Sequence, residues 1–227
     1  MTVSLMFLCA TGDATRHGAF GDGPLSERGL RETGGAGAAL PPYTMAIRAP
    51  STRCAQTAVA LGLGSVVEPL LRDIDYGTWR GRRVDDVAAT DPHGFSAWLT
   101  DPDAVPHGGE SVRQLCRRTA HWLSSLPPDT GHMLVITEAA VVRASLVHAL
   151  SAPVRTFWHL DVPPLSVVSL TLHGGSWNVR LGPSLSERAG NNTAAGIQPL
   201  VYVRAGRNTR AGVRRREGHP ELLGDRS

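Results

Sequence analysis

A small set of ionisable and hydroxyl side chains follows the short apolar runs of this 227-residue chain, and their types limit the chemistry open to it. Thr11 and Asp13 come directly after the run Val3 to Cys9, Arg53 comes shortly after Met45 to Ile47, and Glu138 follows Met133-Leu134-Val135-Ile136-Thr137. Asp73 lies between the last two of these runs. Two carboxylates brought to one site, one with a raised pKa, can act as proton donor and proton acceptor. Arg53 can hold a ligand carboxylate or pair with Glu138. His121, His148, His159 and His173 show no metal-ligand spacing, so neither a zinc or iron site nor any other cofactor is expected. Cys9, Cys54 and Cys116 are isolated from one another and read as core residues of a protein in a reducing compartment, which gives a cytoplasmic location.

The elements that must carry these residues are legible from periodicity. Val3 to Cys9, Met45 to Ile47, His132 to Thr137 and Ser166 to Leu172 are apolar runs of strand length, suited to strands buried on both faces. Between them lie segments with helical spacing: Leu25 to Leu40, Ser51 to Leu61, Ser111 to Leu126 and Ala139 to Leu150. The alternation predicts a three-layer α/β domain with a mainly parallel sheet. In such sheets ligands sit beyond the carboxyl ends of the strands, where the residues above are found.

Five motifs, in order from Leu8 to Ala144, resemble the histidine phosphatase superfamily, also called phosphoglycerate mutase-like. The family's Pro-Leu-Ser/Thr-Glu-Arg-Gly stands here as Pro24-Leu25-Ser26-Glu27-Arg28-Gly29. Its Pro-x-x-Arg-x-x-Gln-Thr-Ala matches at Pro50, Arg53, Gln56, Thr57 and Ala58. Its Leu-x-Glu-x-x-Phe-Gly-x-Trp-x-Gly appears as the segment Leu71 to Gly81, and its Gly-Gly-Glu-Ser as Gly108-Gly109-Glu110-Ser111. Its Val-Val-Thr-His-Gly resembles Val135-Ile136-Thr137-Glu138-Ala139. The resemblance implies transfer of a phosphoryl group through a phosphohistidine, in a cradle of two arginines and a second histidine, with a carboxylic acid protonating the leaving oxygen. By motif position the nucleophile is Thr11 here, the arginine beside it is Ala10, and the second histidine is Glu138. Arg53 retains the second arginine, and Asp73 retains the acid one methylene shorter.

These departures carry an electrostatic expectation. Ala10 removes a cation, and Glu138 replaces a donor with an anion, so Arg53 faces Asp73 and Glu138 in a cleft too negative for a phosphate dianion. The sequence therefore predicts a small-molecule ligand that is not a phosphate monoester. It predicts non-phosphoryl acid–base chemistry (isomerisation, cyclisation, elimination or hydrolysis), as in specialised metabolism, by Asp73, Glu138 and Thr11, with Arg53, His107 and Asp13 contacting the ligand. The alternatives are a catalytically dead pseudophosphatase that binds a metabolite or protein partner, and a weak phosphatase. His107 is placed at the cleft lining, Asp13 at the rim or at a helix cap, His17 outside the site, Arg143 along its helix, and Tyr76 and Trp79 in the core.

Composition separates the chain into two parts. All 23 basic residues are arginine, and eight of them lie in residues 188–227 against three acids. That excess is larger than the whole-chain charge of +3, so residues 1–187, the expected domain, are net acidic, and no basic groove is implied. The tail 188–227 lacks apolar periodicity and reads as a flexible segment. No aromatic–basic interleaving suggests nucleic-acid binding, no apolar stretch is long enough for a membrane span, the N-terminus lacks signal-peptide character, and a homodimer is left open.

Overall fold

Strand β1 (Val3–Cys9) is buried along nearly its whole length, as its uninterrupted apolar sequence requires. It pairs in parallel with β4 (Gly131–Thr137) on one side and antiparallel with β5 (Val167–His173) on the other. The computed structural model describes residues 3–10, 18–37, 40–182, 184–185 and 201–204. Within them, β2 (Met45–Arg48), β3 (Val66–Val67) and β6 (Ser176–Leu181) join the same sheet, with β7 (Val201–Arg204) at its edge, in the order β3-β2-β4-β1-β5-β6-β7. β5 and β7 run against the other five strands, so the sheet is mainly parallel.

Connection handedness sets the layers. The crossovers from β1 to β2 and from β2 to β3 both step one way, and they carry α1 (Glu27–Ala36) and α2 (Thr52–Ala60). The crossover from β3 to β4 steps back and carries α5 (Val112–Ser125), which packs on α6 (Ala139–Ala149). Right-handed crossovers therefore place α1 and α2 on one face and α5 and α6 on the other. The step reverses at the adjacent strands β1 and β4, and the crevice beyond their carboxyl ends is the natural ligand site. The core between the layers holds Leu5, Phe7, Leu8, Leu134, Ile136 and Leu170, all fully buried.

Helix starts follow local chemistry. Ser26, Ser51 and Ser111 each accept a hydrogen bond from the backbone three residues on, and Gln114 completes a reciprocal cap with Ser111. Each of these helices was expected, and each is shorter than its periodic segment by a few residues, because apolar periodicity continues past the last residue that can hold helical hydrogen bonds. Two short helices, α3 (Val84–Thr90) and α4 (Pro92–Thr100), lie in a segment where no helix was expected. Residues 201–204 of the tail add strand β7; the rest of the tail after Leu185 lies outside the described residues. Among the described residues, no helix is long and apolar enough to cross a membrane.

Two loops at the carboxyl end of the sheet are locked together. Glu110 N–H donates to the Asp75 carbonyl at 2.8 Å, and Thr78 N–H donates to the His107 carbonyl at 2.9 Å. A Cβ on Gly109 would collide with the Asp75 carbonyl, whereas one on Gly35 in α1 would meet open space. Gly109→Ala is expected to destabilise the protein by about 2 kcal/mol or more, and Gly35→Ala to stabilise it by about 0.5–1 kcal/mol. Urea unfolding of the two variants beside wild type checks both signs.

Candidate functional site

The crevice collects side chains from three separate segments. Arg53 projects from the first turn of α2, which Ser51 caps. Glu138 is the N-cap residue of α6 and follows β4 at once, yet its side chain makes no capping bond. It turns instead toward α2, where Oε1 accepts from the Ser51 hydroxyl at 2.8 Å and from the Cys54 thiol at 3.6 Å. Oε2 lies 3.5 Å from an Arg53 Nη. The other Arg53 Nη donates to the Gly21 carbonyl at 2.7 Å. Asp73 follows the short 3-10 turn Pro69–Leu71, and its Oδ1 accepts from Ile74 N–H at 2.9 Å.

The two carboxyl groups are electrostatically linked. Burial pushes Asp73 up to about 7, and the neighbouring Glu138 charge pushes in the same direction against Arg53. Burial also raises Glu138, opposed first by Arg53 and then by the hydrogen bonds from Ser51 and Cys54. The ordinary value of an aspartate is near 4, so Asp73 keeps its proton over much of the range where a surface carboxylate has lost it. Asp73, Ser51, Asp22, Arg72, Asp75 and Arg80 line an open cleft of about 340 Å³.

Arg53 and Glu138 are thus in contact, and Asp73 lies near enough for both their charges to act on it. Thr11, Asp13 and His17 lie outside the described residues; the neighbouring Ala10 is buried and donates its N–H to the Thr137 carbonyl at 2.8 Å, at the point where β1 meets β4. His107 is not in the cleft lining. It is buried beneath it, its Nδ1 accepts from Gly109 N–H at 3.0 Å, and its ring meets Trp79 edge-on at a centroid distance of 5.1 Å. Burial lowers its pKa, so the ring is neutral and acts as a brace for the glycine loop. The reason it departs from expectation is that the loop turns inward at Gly108, where φ is +71°. Trp79 is buried in a cluster with Phe20, Tyr76 and Trp98. Arg143 donates to the Leu160 carbonyl at 2.8 Å and lies over Phe157, a structural role.

Three further residues organise the site. Arg118 of α5 grips Glu110 with two hydrogen bonds of 2.9 and 2.8 Å. It also donates to the carbonyls of Leu70, Arg72 and Asp73, which fixes the backbone that carries the acid. Asp22 accepts from the amides of Gly23, Thr52 and Arg53. Burial works against its charge, but those donors outweigh it and hold Asp22 below its usual value. The third is Ser51, which links the α2 cap to Glu138. Glu110 was visible in its motif, but Arg118 lies on α5, outside any motif, and Glu110 precedes that helix, so no helical spacing links the two.

Comparisons with known proteins follow this geometry. The model of the histidine phosphatase superfamily (branch 1) matches residues 11–182. A Mycobacterium tuberculosis protein described as bifunctional is 30% identical over 177 residues, 73% of this chain and 48% of its own length. The adenosylcobalamin/alpha-ribazole phosphatase of Salmonella typhimurium is 29% identical over 41% of this chain and 48% of its own. Phosphoserine phosphatase 1 of Hydrogenobacter thermophilus is 26% identical over 45% of this chain and 50% of its own. The chain therefore spans about half the length of the curated relatives it matches. Among solved structures, the alpha-ribazole phosphatase of Shigella flexneri superposes with a TM-score of 0.69 at 19% identity, covering 87% of this chain and 100% of that one. Mycobacterial glucosyl-3-phosphoglycerate phosphatase gives 0.67 at 22% identity, with 79% and 97% covered.

These relatives overturn the expectation of non-phosphoryl chemistry: the named enzymes among them are phosphatases, on substrates as different as alpha-ribazole phosphate and phosphoserine. The error in the electrostatic argument was to count both carboxylates as ionised. With Asp73 raised by burial to about 7, it is only partly ionised near neutral pH and the cleft is less negative than its composition suggests.

Two measurements test the site. Asp73 binds its proton more tightly folded than unfolded, so its contribution to stability is full below the unfolded pKa and is lost as pH rises toward about 7. Asp73→Asn removes that loss, and its melting temperature is expected to gain on wild type as the pH is raised from 5 to 8. Arg118→Ala leaves the nearly buried Glu110 with Arg72 at 3.8 Å as its remaining cation among the described residues, and is expected to cost about 3 kcal/mol in urea unfolding.

Proposed function

Since the chain belongs to the histidine phosphatase superfamily, we propose that it hydrolyses phosphate monoesters of small molecules. The observation that carries this reading is Asp73: a carboxyl group that lines the cleft, is raised to about 7 by burial, and lies near enough to Arg53 to feel its charge. A phosphomonoesterase needs a cation for the phosphoryl oxygens and an acid that still holds its proton when the ester bond breaks. Arg53 has the fork geometry for two phosphoryl oxygens, once the Gly21 carbonyl and Glu138 release it. As the bond from phosphorus to the leaving oxygen breaks, the Asp73 proton passes to that oxygen. The alcohol departs, and the oxygen of water ends on orthophosphate. By motif position Thr11 receives the phosphoryl group first: its hydroxyl loses a proton to solvent as the P–O bond forms, and regains one when water cleaves that bond, the second proton of the water restoring Asp73. Arg72, Asp75 and Arg80 at the cleft rim favour a polar leaving group.

Activity is expected on small phosphorylated alcohols in protein purified to constant specific activity. Because Asp73 must be protonated, kcat/KM is expected to fall as pH rises through about 7. Asp73→Asn is expected to cost about 10²–10⁴-fold on an alkyl phosphate, and much less on p-nitrophenyl phosphate, whose leaving group departs without a proton. Arg53→Ala is expected to lose about 10²-fold or more on both substrates. Equal turnover by wild type and Arg53→Ala would assign the activity to a contaminant and end this reading.

A further inference from the structure

A second hollow adjoins the cleft. It measures about 440 Å³ and lies between loop 108–110, the first turn of α5 and Arg72. Arg72 and Asp75 line both spaces, so a molecule whose phosphate sits in the cleft can extend past them into the second. Most polar groups there are already committed. Arg118 spends all five of its N–H groups on Glu110 and on the carbonyls of Leu70, Arg72 and Asp73. The amides of Gly108, Gly109 and Glu110 donate to the Val105 carbonyl, His107 Nδ1 and the Asp75 carbonyl. Asp75 is paired with Arg80 at 2.8 Å. Two donors remain. The Arg72 side chain is half exposed, and its ion pair with Glu110 is 3.8 Å long, beyond hydrogen-bond length, with no other partner among the described residues. Gln114 has its Oε1 fixed by the Ser111 amide at 2.7 Å, which leaves its amide nitrogen without an acceptor among the described residues.

Pairing Glu110 with Arg118 and Asp75 with Arg80 leaves the second hollow with one unmatched charge, that of Arg72. A guanidinium fork fits a carboxylate in shape, and a single positive charge balances a single negative one. A second phosphoryl dianion would exceed that charge beside Asp75 and Glu110, and a neutral group would gain nothing from it. We propose that Arg72 determines specificity by selecting phosphate monoesters whose alcohol carries a carboxylate, which enters the second hollow against Arg72 and Gln114. The proposal rests on the phosphatase reading of the cleft and adds the class of leaving group. Arg72 acts in binding alone; the proton for the departing alcohol still comes from Asp73. The Arg118 bond of 3.0 Å to the Arg72 carbonyl fixes the base of the side chain next to the acid.

The test is steady-state hydrolysis by the full chain of 3-phosphoglycerate and glycerol 3-phosphate, which carry a carboxylate and a hydroxymethyl group at the same place, with p-nitrophenyl phosphate as reference. Wild type is expected to favour 3-phosphoglycerate in kcat/KM by about tenfold or more, the worth of one hydrogen bond to a charged group. Arg72→Gln is expected to bring the two substrates to within about twofold of each other, with the change falling on KM for 3-phosphoglycerate and not on kcat. A merely structural role for Arg72 would lower both substrates alike and keep their ratio. Gln114→Glu keeps the acceptor that caps α5 and sets a negative charge beside the carboxylate. It is expected to lower the ratio as well, and is read alone should Arg72→Gln not fold. No preference in wild type, an unchanged ratio in folded Arg72→Gln, or hydrolysis of p-nitrophenyl phosphate alone overturns the proposal and leaves the phosphatase reading standing. Hydrolysis of none of these substrates overturns the two together.

Discussion

One arginine facing two buried carboxyl groups is the constraint around which the carboxyl end of this sheet is built. Left ionised, Asp73 and Glu138 would repel each other in a crevice with little water to screen them, at a cost of several kcal/mol per charge. The structure answers partly by proton retention, with Asp73 raised to about 7, and partly by donors, with Ser51, Cys54 and Arg53 all turned to Glu138. Each donor is fixed by something else. Ser51 is also the α2 cap, and Arg53 is also tied to the Gly21 carbonyl. The site is thus part of the same hydrogen-bond network that starts helix α2.

Topology brings these groups together before any side-chain contact acts. The chain reverses its direction of travel across the sheet at β1 and β4, and Ala10 and Glu138 lie just beyond those strands, with the Ala10 amide bonded to the Thr137 carbonyl. Asp73 reaches the same crevice six residues after the two-residue edge strand β3, beyond the turn Pro69–Leu71. Its position depends on Arg118, which holds three carbonyls of that loop from α5. The buried pair of Arg118 and Glu110 therefore does for Asp73 what β4 does for Glu138.

Much of the fold was legible because burial imposes simple patterns. β1 occupies Val3–Cys9 as its apolar run predicts, and the serine caps fall where hydroxyl residues precede helical spacing. The proximity of Arg53, Asp73 and Glu138 followed from motif order. His107 did not lie where its motif suggested, because a positive φ at Gly108 turns the loop inward, and a sequence does not display backbone direction. Protonation was also hidden. Both carboxyl groups look like ordinary anions in a sequence, and only burial and proximity show that the pKa of Asp73 is raised to about 7 and that of Glu138 is raised as well. The expectation of non-phosphoryl chemistry was overturned by the phosphatases among the relatives, which no residue type in the cleft could have indicated.

Asp22 gives the crevice a particular electrical character. The first turn of a helix presents free amides that ordinarily welcome an incoming anion, but here the amides of Thr52 and Arg53 already point at the Asp22 carboxylate. The protein carries its own permanent counter-ion at that helix end. An anion drawn to Arg53 would therefore meet a guanidinium tied to the Gly21 carbonyl and Glu138, and not a rigid ring of peptide groups. The backbone of α2 is thereby shielded at its first turn, and the charge at this corner of the crevice is carried by side chains.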